Sequence, residues 1–317
     1  MPSTDPLITI FTAPKPFLDP HISLIQRNAI LSWQHLGDEV RVLLLGDETG
    51  MTEFAASNNV VQLTQVSRNP HGTPLVSSLF ELARRSSSSA LLAYINADML
   101  LTPEFVRLAK LVHDQVEKFL IVGQRWDLDV RQALDFKPGW DERLTKDVSE
   151  RGCLHPPGGS DYFIFPRQCF TKIPNFAIGR AGWDNWMFYH ARQQGWPVVD
   201  LSTSLMVIHQ DHDYSHLPGG QPHYKLPESF ENIRLAGGRR RIFSLLDADY
   251  TLVAGKIQPI PVRGKRFWRY LETYPLLRWN SYPLAELTFA FCHPGKAFGE
   301  WRGRLAYLLR KYGHQRA

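Results

Sequence analysis

The chain of 317 residues is 44% hydrophobic and 21% charged, the composition of a soluble globular protein long enough for one large or two modest domains. No apolar stretch reaches the roughly 18 residues that a bilayer span requires, and the start, Met1-Pro2-Ser3-Thr4-Asp5, has neither the basic nor the apolar region of a secretory signal. The net charge of +5 is unevenly spread: from Arg263 onward 11 Lys and Arg face 3 Asp and Glu, a balance of +8 that leaves −3 on the first 262 residues.

Taken in order, residues 7–11 read as a short buried strand, followed by the loop Thr12-Ala13-Pro14-Lys15-Pro16. Residues 21–36 carry Ile22, Ile25, Ala29, Ile30 and Trp33 at helical spacing, and Gly37-Asp38 ends that helix. Strands are expected at 39–45, stopping at Gly46-Asp47, and at 60–66. Thr73-Pro74 reads as the cap and first turn of a helix running to about residue 85. The serine run 86–89 reads as a solvated turn. A strand at 91–101, a helix at about 103–118 and a strand at 119–123 follow. Residues 125–158 read as loop-rich, 160–166 as a strand, 184–194 as a helix, and 198–200 and 205–208 as short strands. Strands alternating with helices at this spacing predict an α/β fold with a doubly wound, mostly parallel sheet. In such sheets ligands bind beyond the carboxyl ends of the strands, where Thr12, Asp47 and Asp98 fall. No G-x-G-x-x-G follows the first strand and no P-loop motif occurs, which argues against dinucleotide dehydrogenases and P-loop NTPases.

The segment 91–101, LLAYINADMLL, is the most informative. An unpaired carboxylate inside a buried strand costs several kcal/mol or more, so Asp98 is expected at the open end of the sheet, facing a cation or ligand. Asn96, two residues earlier, would share its face. Two oxygen ligands on one face suit Mg²⁺ or Mn²⁺, and such an ion suits a diphosphate. The competing reading is an Asn and an Asp capping a turn before Thr102-Pro103.

The leading strand, Gly46-Asp47 after the second strand, and Asn96-Ala97-Asp98 at the sheet edge together resemble the nucleotide-sugar half of a GT-A-type glycosyltransferase. Gly158-Gly159-Ser160-Asp161-Tyr162-Phe163 and Gly182-Trp183-Asp184-Asn185-Trp186 resemble its acceptor-side segments, and His209-Gln210-Asp211-His212 stands where many such enzymes place a late histidine ligand. The resemblance covers residues 7–216, and it departs from D-x-D in having Asn at the first position. It implies a divalent cation, Mn²⁺ or Mg²⁺, held by Asp98 and His209, with His212 and Asp211 as alternatives to the histidine. It also implies Asp184 as general base, Asp161 orienting acceptor hydroxyls, and Thr12, Ala13, Lys15, Asp47, Thr73, Asn96 and Asp98 around a nucleoside-diphosphate sugar. The acceptor would be a glycan or a lipid-linked sugar, as in polysaccharide biosynthesis.

Ordinary structural roles stand beside these: Asp184 as a helix N-cap, Asp47 and Asp161 as turn residues, Thr73 as a cap, Trp183 as a packing residue and His209 as a half-buried histidine. The histidine-rich run 209–216 also fits a metal hydrolase. Asp247-Ala248-Asp249 spells D-x-D too, but it lies outside the doubly wound half. Two other functions remain open. A sugar nucleotidyltransferase would need a glycine-rich loop where Thr12 to Pro16 stands, and a non-catalytic sugar- or membrane-binding protein is permitted by Asn96.

The expected organisation is a catalytic domain at 1–258, with a nucleotide-sugar half at about 1–125 and an acceptor half at about 126–258. A basic, aromatic helical extension occupies 259–317. Helices of that composition either lie on an anionic membrane or pack back on the domain, and no nucleic-acid module is present. Three widely spaced cysteines, Cys153, Cys169 and Cys292, match no zinc spacing. They point to a reducing, cytoplasmic location, with the tail allowing peripheral contact at the inner face of a membrane.

Overall fold

A computed structural model describes residues 5–212 and 225–313. It divides into two compact units, Met1–Ile260 and Pro261–Ala317.

The first unit opens with strand β1 (Ile8–Thr12), helix α1 (Pro20–Gln34), β2 (Val40–Leu45), α2 (Met51–Ser57), β3 (Val61–Leu63), α3 (Val76–Arg85) and β4 (Leu91–Ile95). It continues through β5 (Met99–Leu100), α4 (Glu104–His113), β6 (Leu120–Val122), β7 (Trp126–Leu128), α5 (Trp140–Arg151), β8 (Cys153–Leu154), β9 (Tyr162–Pro166) and α6 (Trp183–Gln193). β10 (Val198–Asp200), β11 (Ile208–Gln210), α7 (Pro227–Leu235) and the hairpin of β12 (Tyr250–Val253) and β13 (Lys256–Pro259) complete it.

Nine strands form one sheet in the order β13-β12-β10-β6-β9-β4-β1-β2-β3. The pairs among β3, β2, β1 and β4, and among β6, β10 and β12, are parallel. β9 runs against both of its neighbours, with Tyr162 opposite Ile95. Alternation along the strands covers the sheet on both faces. Ile8, Ile10, Leu91, Ala93 and Ile95 join a core with Ile30 and Trp33 of α1 and Phe105 of α4. Phe11, Tyr94, Phe163 and Phe165 point the other way, into an aromatic cluster with Phe80 of α3 and Trp183 of α6. The expected α/β, doubly wound, mostly parallel sheet is therefore present.

β5, β11, β7 and β8 form a second, four-stranded sheet. Its strands are two or three residues long, too short for a periodic signal in the sequence.

Several local expectations need correction. β4 stops at Ile95, so Asn96 and Asp98 lie in a turn rather than on one strand face; the Met99 N–H closes that turn on the Asn96 carbonyl at 3.2 Å. Thr73 caps no helix, because α3 starts after an extended Leu75. The Thr73 N–H donates to the Asn69 side chain at 3.0 Å, which commits the group that a phosphate would need. Ser87 and Ser89 are buried, their hydroxyls bonded to Thr9 on β1. Residues 125–158 hold α5 and two strands rather than loop alone, and the strand expected at 205–208 lies at Ile208–Gln210. α2, α7 and the β12–β13 hairpin were not legible from spacing.

The second unit consists of α8 (Lys265–Trp279), α9 (Tyr282–Cys292) and α10 (Pro294–Gly313). Glu272 ties the first two together: its carbonyl accepts from the Thr288 hydroxyl at 3.0 Å and its carboxylate meets His293 at 3.1 Å.

Candidate active site

A cleft of about 580 Å³ opens beyond the carboxyl ends of β1 and β4. Of the residues singled out in the sequence, Ala13, Lys15, Thr73, Asn96, Asp98, Asp161, Asp184 and His209 line it. Thr12 and Asp47 do not. Thr12 ends β1 fully buried, with its hydroxyl unsatisfied inside the sheet. Asp47 is exposed and held by Arg68 at 2.6 Å, so Arg68 and Glu48 form the wall there instead.

The position of Asp98 is fixed by α1 and the small sheet. The Trp33 indole N–H donates to the Met99 carbonyl at 2.8 Å, and the Ser32 hydroxyl accepts from the Leu101 N–H at 3.2 Å. β5 pairs antiparallel with β11, setting His209 opposite Met99. The Gln210 N–H donates to the Asp98 carbonyl at 3.1 Å. These contacts bring His212 Nε2 to 3.1 Å and His209 Nε2 to 3.8 Å from the same Asp98 oxygen, Oδ2. The other oxygen, Oδ1, is buried and makes no hydrogen bond. Burial pushes the Asp98 pKa upward, but the His212 hydrogen bond and the charges of His209, His212 and Lys15 outweigh it and hold the group well below the usual carboxylate range.

One carboxylate and two imidazoles, their ligating atoms within 4.8 Å of one another, fit a divalent cation. The idle Asp98 Oδ1 supports this, since a buried anionic oxygen needs a partner. Both histidines face Asp98, whereas Asp211 lies 3.6 Å from His209 Nδ1, on the far side of that ring. Of the histidine-rich run 209–216, residues 213–216 fall outside the described residues.

Behind His209 is a group that sequence reasoning missed. β7 pairs parallel with β11, placing Asp127 beside His209, with Asp127 Oδ1 3.1 Å from Nδ1. Asp127 also accepts from Arg125 at 2.8 Å and meets His155 at 2.7 Å. Arg125 reaches on to Asp161 Oδ2 at 2.7 Å, and Asn96 Nδ2 donates to Asp161 Oδ1 at 2.8 Å. The Asn96 amide oxygen in turn accepts from the Tyr94 hydroxyl at 3.0 Å. Asn96 is thus a connector between β4 and β9, its side chain used on both ends.

Asp184 sits in the first turn of α6, whose N-cap position is held by Gly182 at φ +108°, so Asp184 is not the N-cap residue although its carboxylate accepts backbone N–H groups of that turn. Asp184 Oδ1 accepts from the Gly182 N–H at 3.2 Å. Burial raises its pKa to about 6; the Asn185 N–H offsets part of this, and the Asp161 charge adds to it. Gly159 passes so close that a Cβ there would lie 2.7 Å from Asp184 Oδ2. Trp183 is buried, packing edge-on against Tyr94 at 5.0 Å, which is the packing role.

On the other wall, Gln26 pins the loop after β1: its Oε1 accepts from the Lys15 N–H at 2.6 Å and its Nε2 donates to the Lys15 carbonyl at 3.0 Å. Burial lowers the Lys15 pKa, and the pull of Asp98 opposes that. The second D-x-D has structural duties, Asp247 closing a capping box with Ser244 and Asp249 accepting from the Val198 N–H at 2.9 Å.

No protein family and no curated protein sequence matches the chain. Solved structures do, all at low identity. Glucosyl-3-phosphoglycerate synthase from Mycobacterium tuberculosis, in complex with Mn²⁺, uridine diphosphate and glucosyl-3-phosphoglycerate, is 15% identical, with 82% of this chain and 88% of that one covered and a TM-score of 0.46. TarS 1–349 from S. aureus, in complex with UDP-GlcNAc, is 12% identical over 72% of this chain, with a TM-score of 0.45. This chain spans 65% of that structure, slightly under two thirds. The mannosyltransferase PcManGT from Pyrobaculum calidifontis, with GDP-Man and Mn²⁺, is 10% identical over 68% and 59% of the two chains, with a TM-score of 0.43. These TM-scores are too low to add weight to a functional argument, which rests on the cleft itself.

Proposed function

We propose that this chain is a GT-A-type glycosyltransferase, moving a sugar from a nucleoside-diphosphate sugar to the hydroxyl of a glycan or lipid-linked acceptor. One observation supports the reading: a single cleft holds both a group able to take a cation, Asp98 with His209 and His212, and a half-buried carboxylate, Asp184, whose pKa lies near the working range of a base.

Ala13 and Lys15 form the donor wall, with the Lys15 ammonium available to the phosphates. Asp98, His209 and His212 would hold Mn²⁺ or Mg²⁺. When bound, such an ion neutralises charge on a departing diphosphate. Asp184 removes the acceptor proton, the acceptor oxygen bonds to the anomeric carbon, and the bond to the diphosphate breaks, its electron pair leaving with the phosphate. Arg125 and Asn96 hold Asp161 at the acceptor side, leaving its carboxylate fixed for orienting hydroxyls. The nucleotide-sugar and acceptor halves would meet between β4 and β9. The missing charge at Asn96 leaves Asp98 as the acidic ligand, which places more of the metal affinity on the two histidines.

The test is a thermal-shift panel of nucleoside diphosphates with and without Mn²⁺, on wild type and Asp98→Ala. A metal-dependent shift for one nucleotide, lost in the variant, supports the reading. A shift that survives the substitution moves the nucleotide site elsewhere.

A further inference from the structure

Among the described residues, eighteen large apolar side chains are exposed, and twelve of them follow residue 260. They are ordered along the helices. On α9 Leu284, Leu287 and Phe291 stand at i, i+3 and i+7, and Phe291 is 81% exposed. On α10 Phe298, Trp301 and Leu305 repeat the same spacing. On α8 Phe267, Tyr270 and Leu271 share an arc opposite the buried Thr273 and Leu276. A spacing of three and seven residues keeps side chains on one face of a helix, so each helix carries an uncovered apolar stripe. Patches of this kind on a water-soluble surface mark an interaction site.

The charge says which kind. The segment from Arg263 onward carries +8; of its exposed cations, Arg278 and Arg302 stand beside the stripes of α8 and α10, and Lys265 and Lys296 on the opposite faces of those helices. Two copies meeting through these faces would bring two such charges together, which is unfavourable. No helix among the described residues is long and apolar enough to cross a membrane. Tryptophan and tyrosine beside arginine and lysine, on helices with an apolar stripe, suit the headgroup boundary of an anionic bilayer.

We propose that the three-helix unit α8–α10 lies on the surface of an anionic lipid bilayer, its apolar stripes entering the acyl boundary and its cations pairing with lipid phosphates. This holds whether or not the cleft transfers sugar, so the two readings fail separately.

The experiment is flotation of the full-length protein with phosphatidylcholine vesicles, with and without phosphatidylglycerol, at low and high salt. Wild type is expected to float with the phosphatidylglycerol vesicles alone, with the floated fraction falling about tenfold or more at high salt. Leu287→Asp with Phe291→Asp, and separately Arg278→Glu with Arg302→Glu, should each lose flotation. All four positions are exposed, and circular dichroism checks the fold. A second readout needs no variant: tryptophan emission should shift to the blue with anionic vesicles. The proposal is overturned if wild type stays with the unbound fraction, if the Asp variant floats as wild type does, or if the emission does not move. It is also overturned if wild type is a dimer in solution that Leu287→Asp dissociates, since the stripes would then face a second copy.

Discussion

Asn96 donates its side-chain amide to Asp161 at 2.8 Å, across the junction of β4 and β9. A carboxylate at position 96 would face another carboxylate at that distance, whereas the amide lets Asp161 accept from Asn96 and Arg125 together.

Converting Asn96→Asp, which restores D-x-D on paper, is therefore expected to harm the protein. Stability at neutral pH should fall by about 1–3 kcal/mol, because a half-buried donor is lost and two like charges are forced together. One of the two carboxyls would take up a proton in the folded state at a higher pH than in the unfolded chain. The penalty should then shrink as pH is lowered through that raised pKa. Chemical denaturation at two pH values checks this, and a variant as stable as wild type at neutral pH would contradict it.

The donor set of one carboxylate and two imidazoles is nitrogen-rich for Mg²⁺, which prefers oxygen ligands and gives up water reluctantly. Mn²⁺ accepts imidazole more readily. Titration calorimetry should give tighter binding of Mn²⁺ than of Mg²⁺. His212→Ala, which removes the group nearest Asp98, should weaken Mn²⁺ by at least about tenfold. Equal affinity in the variant would exclude His212 as a ligand.

Asp127 stands behind His209 Nδ1 at 3.1 Å and touches no other part of the proposed cation site. His209 Nδ1 makes no aligned hydrogen bond to Asp127, so the carboxylate acts through its charge, raising the ring's basicity toward a metal on Nε2. Asp127→Asn should lower Mn²⁺ affinity about 10- to 100-fold and leave metal-free nucleotide binding unchanged. The spectrum of bound Mn²⁺ by electron paramagnetic resonance should change with it, a response that a merely structural role would not produce.

Asp184 has a folded pKa of about 6, above the ordinary 3.8. A raised carboxyl pKa means that the folded state holds the proton more tightly than the unfolded chain. Its effect is neutral at low pH and becomes destabilising as pH rises from about 4 to about 6. Asp184→Asn should thus be more stable than wild type at pH 7, by about 1–3 kcal/mol, while losing transfer activity. In wild type kcat should fall toward tenfold per pH unit below about 6. Gly159→Ala, which crowds Asp184 Oδ2, should lower kcat more than stability. Retained activity in Asp184→Asn would remove the base.

The large sheet was legible because β1, β2, β4 and β9 are apolar runs long enough to read, with Asp98 and Asp161 standing out as acids at the ends of β4 and β9 and Asp184 at a helix start. The cleft assembles these three with Lys15 and His209. Asp127 was hidden because β7 and β11 are three residues each, and their pairing joins positions 82 apart in the chain. Thr73 and Thr12 misled for opposite reasons. A Thr-Pro pair mimics a helix start, whereas the chain forms an extended bridge to Arg68 there. A hydroxyl at a strand end looks available until packing encloses it. Asp47 followed a strand correctly, but the Arg68 that neutralises it comes from a loop with no periodic signature.

The reversed direction of β9 ties one wall of the cleft to the register of the central sheet. Because that strand begins where β4 finishes, Asp161 reaches the cleft at the strand's very start. A slip of one position would offer Ser160 to Asn96 and turn Asp161 aside. Arg125 would then keep only Asp127 as a partner, and its link across to β9 would be gone. A misthreaded central sheet would keep the group of Asp98, His209 and His212, which hangs on α1 and the small sheet, yet would strip the fixed Asp161 carboxylate from the wall beside Asp184.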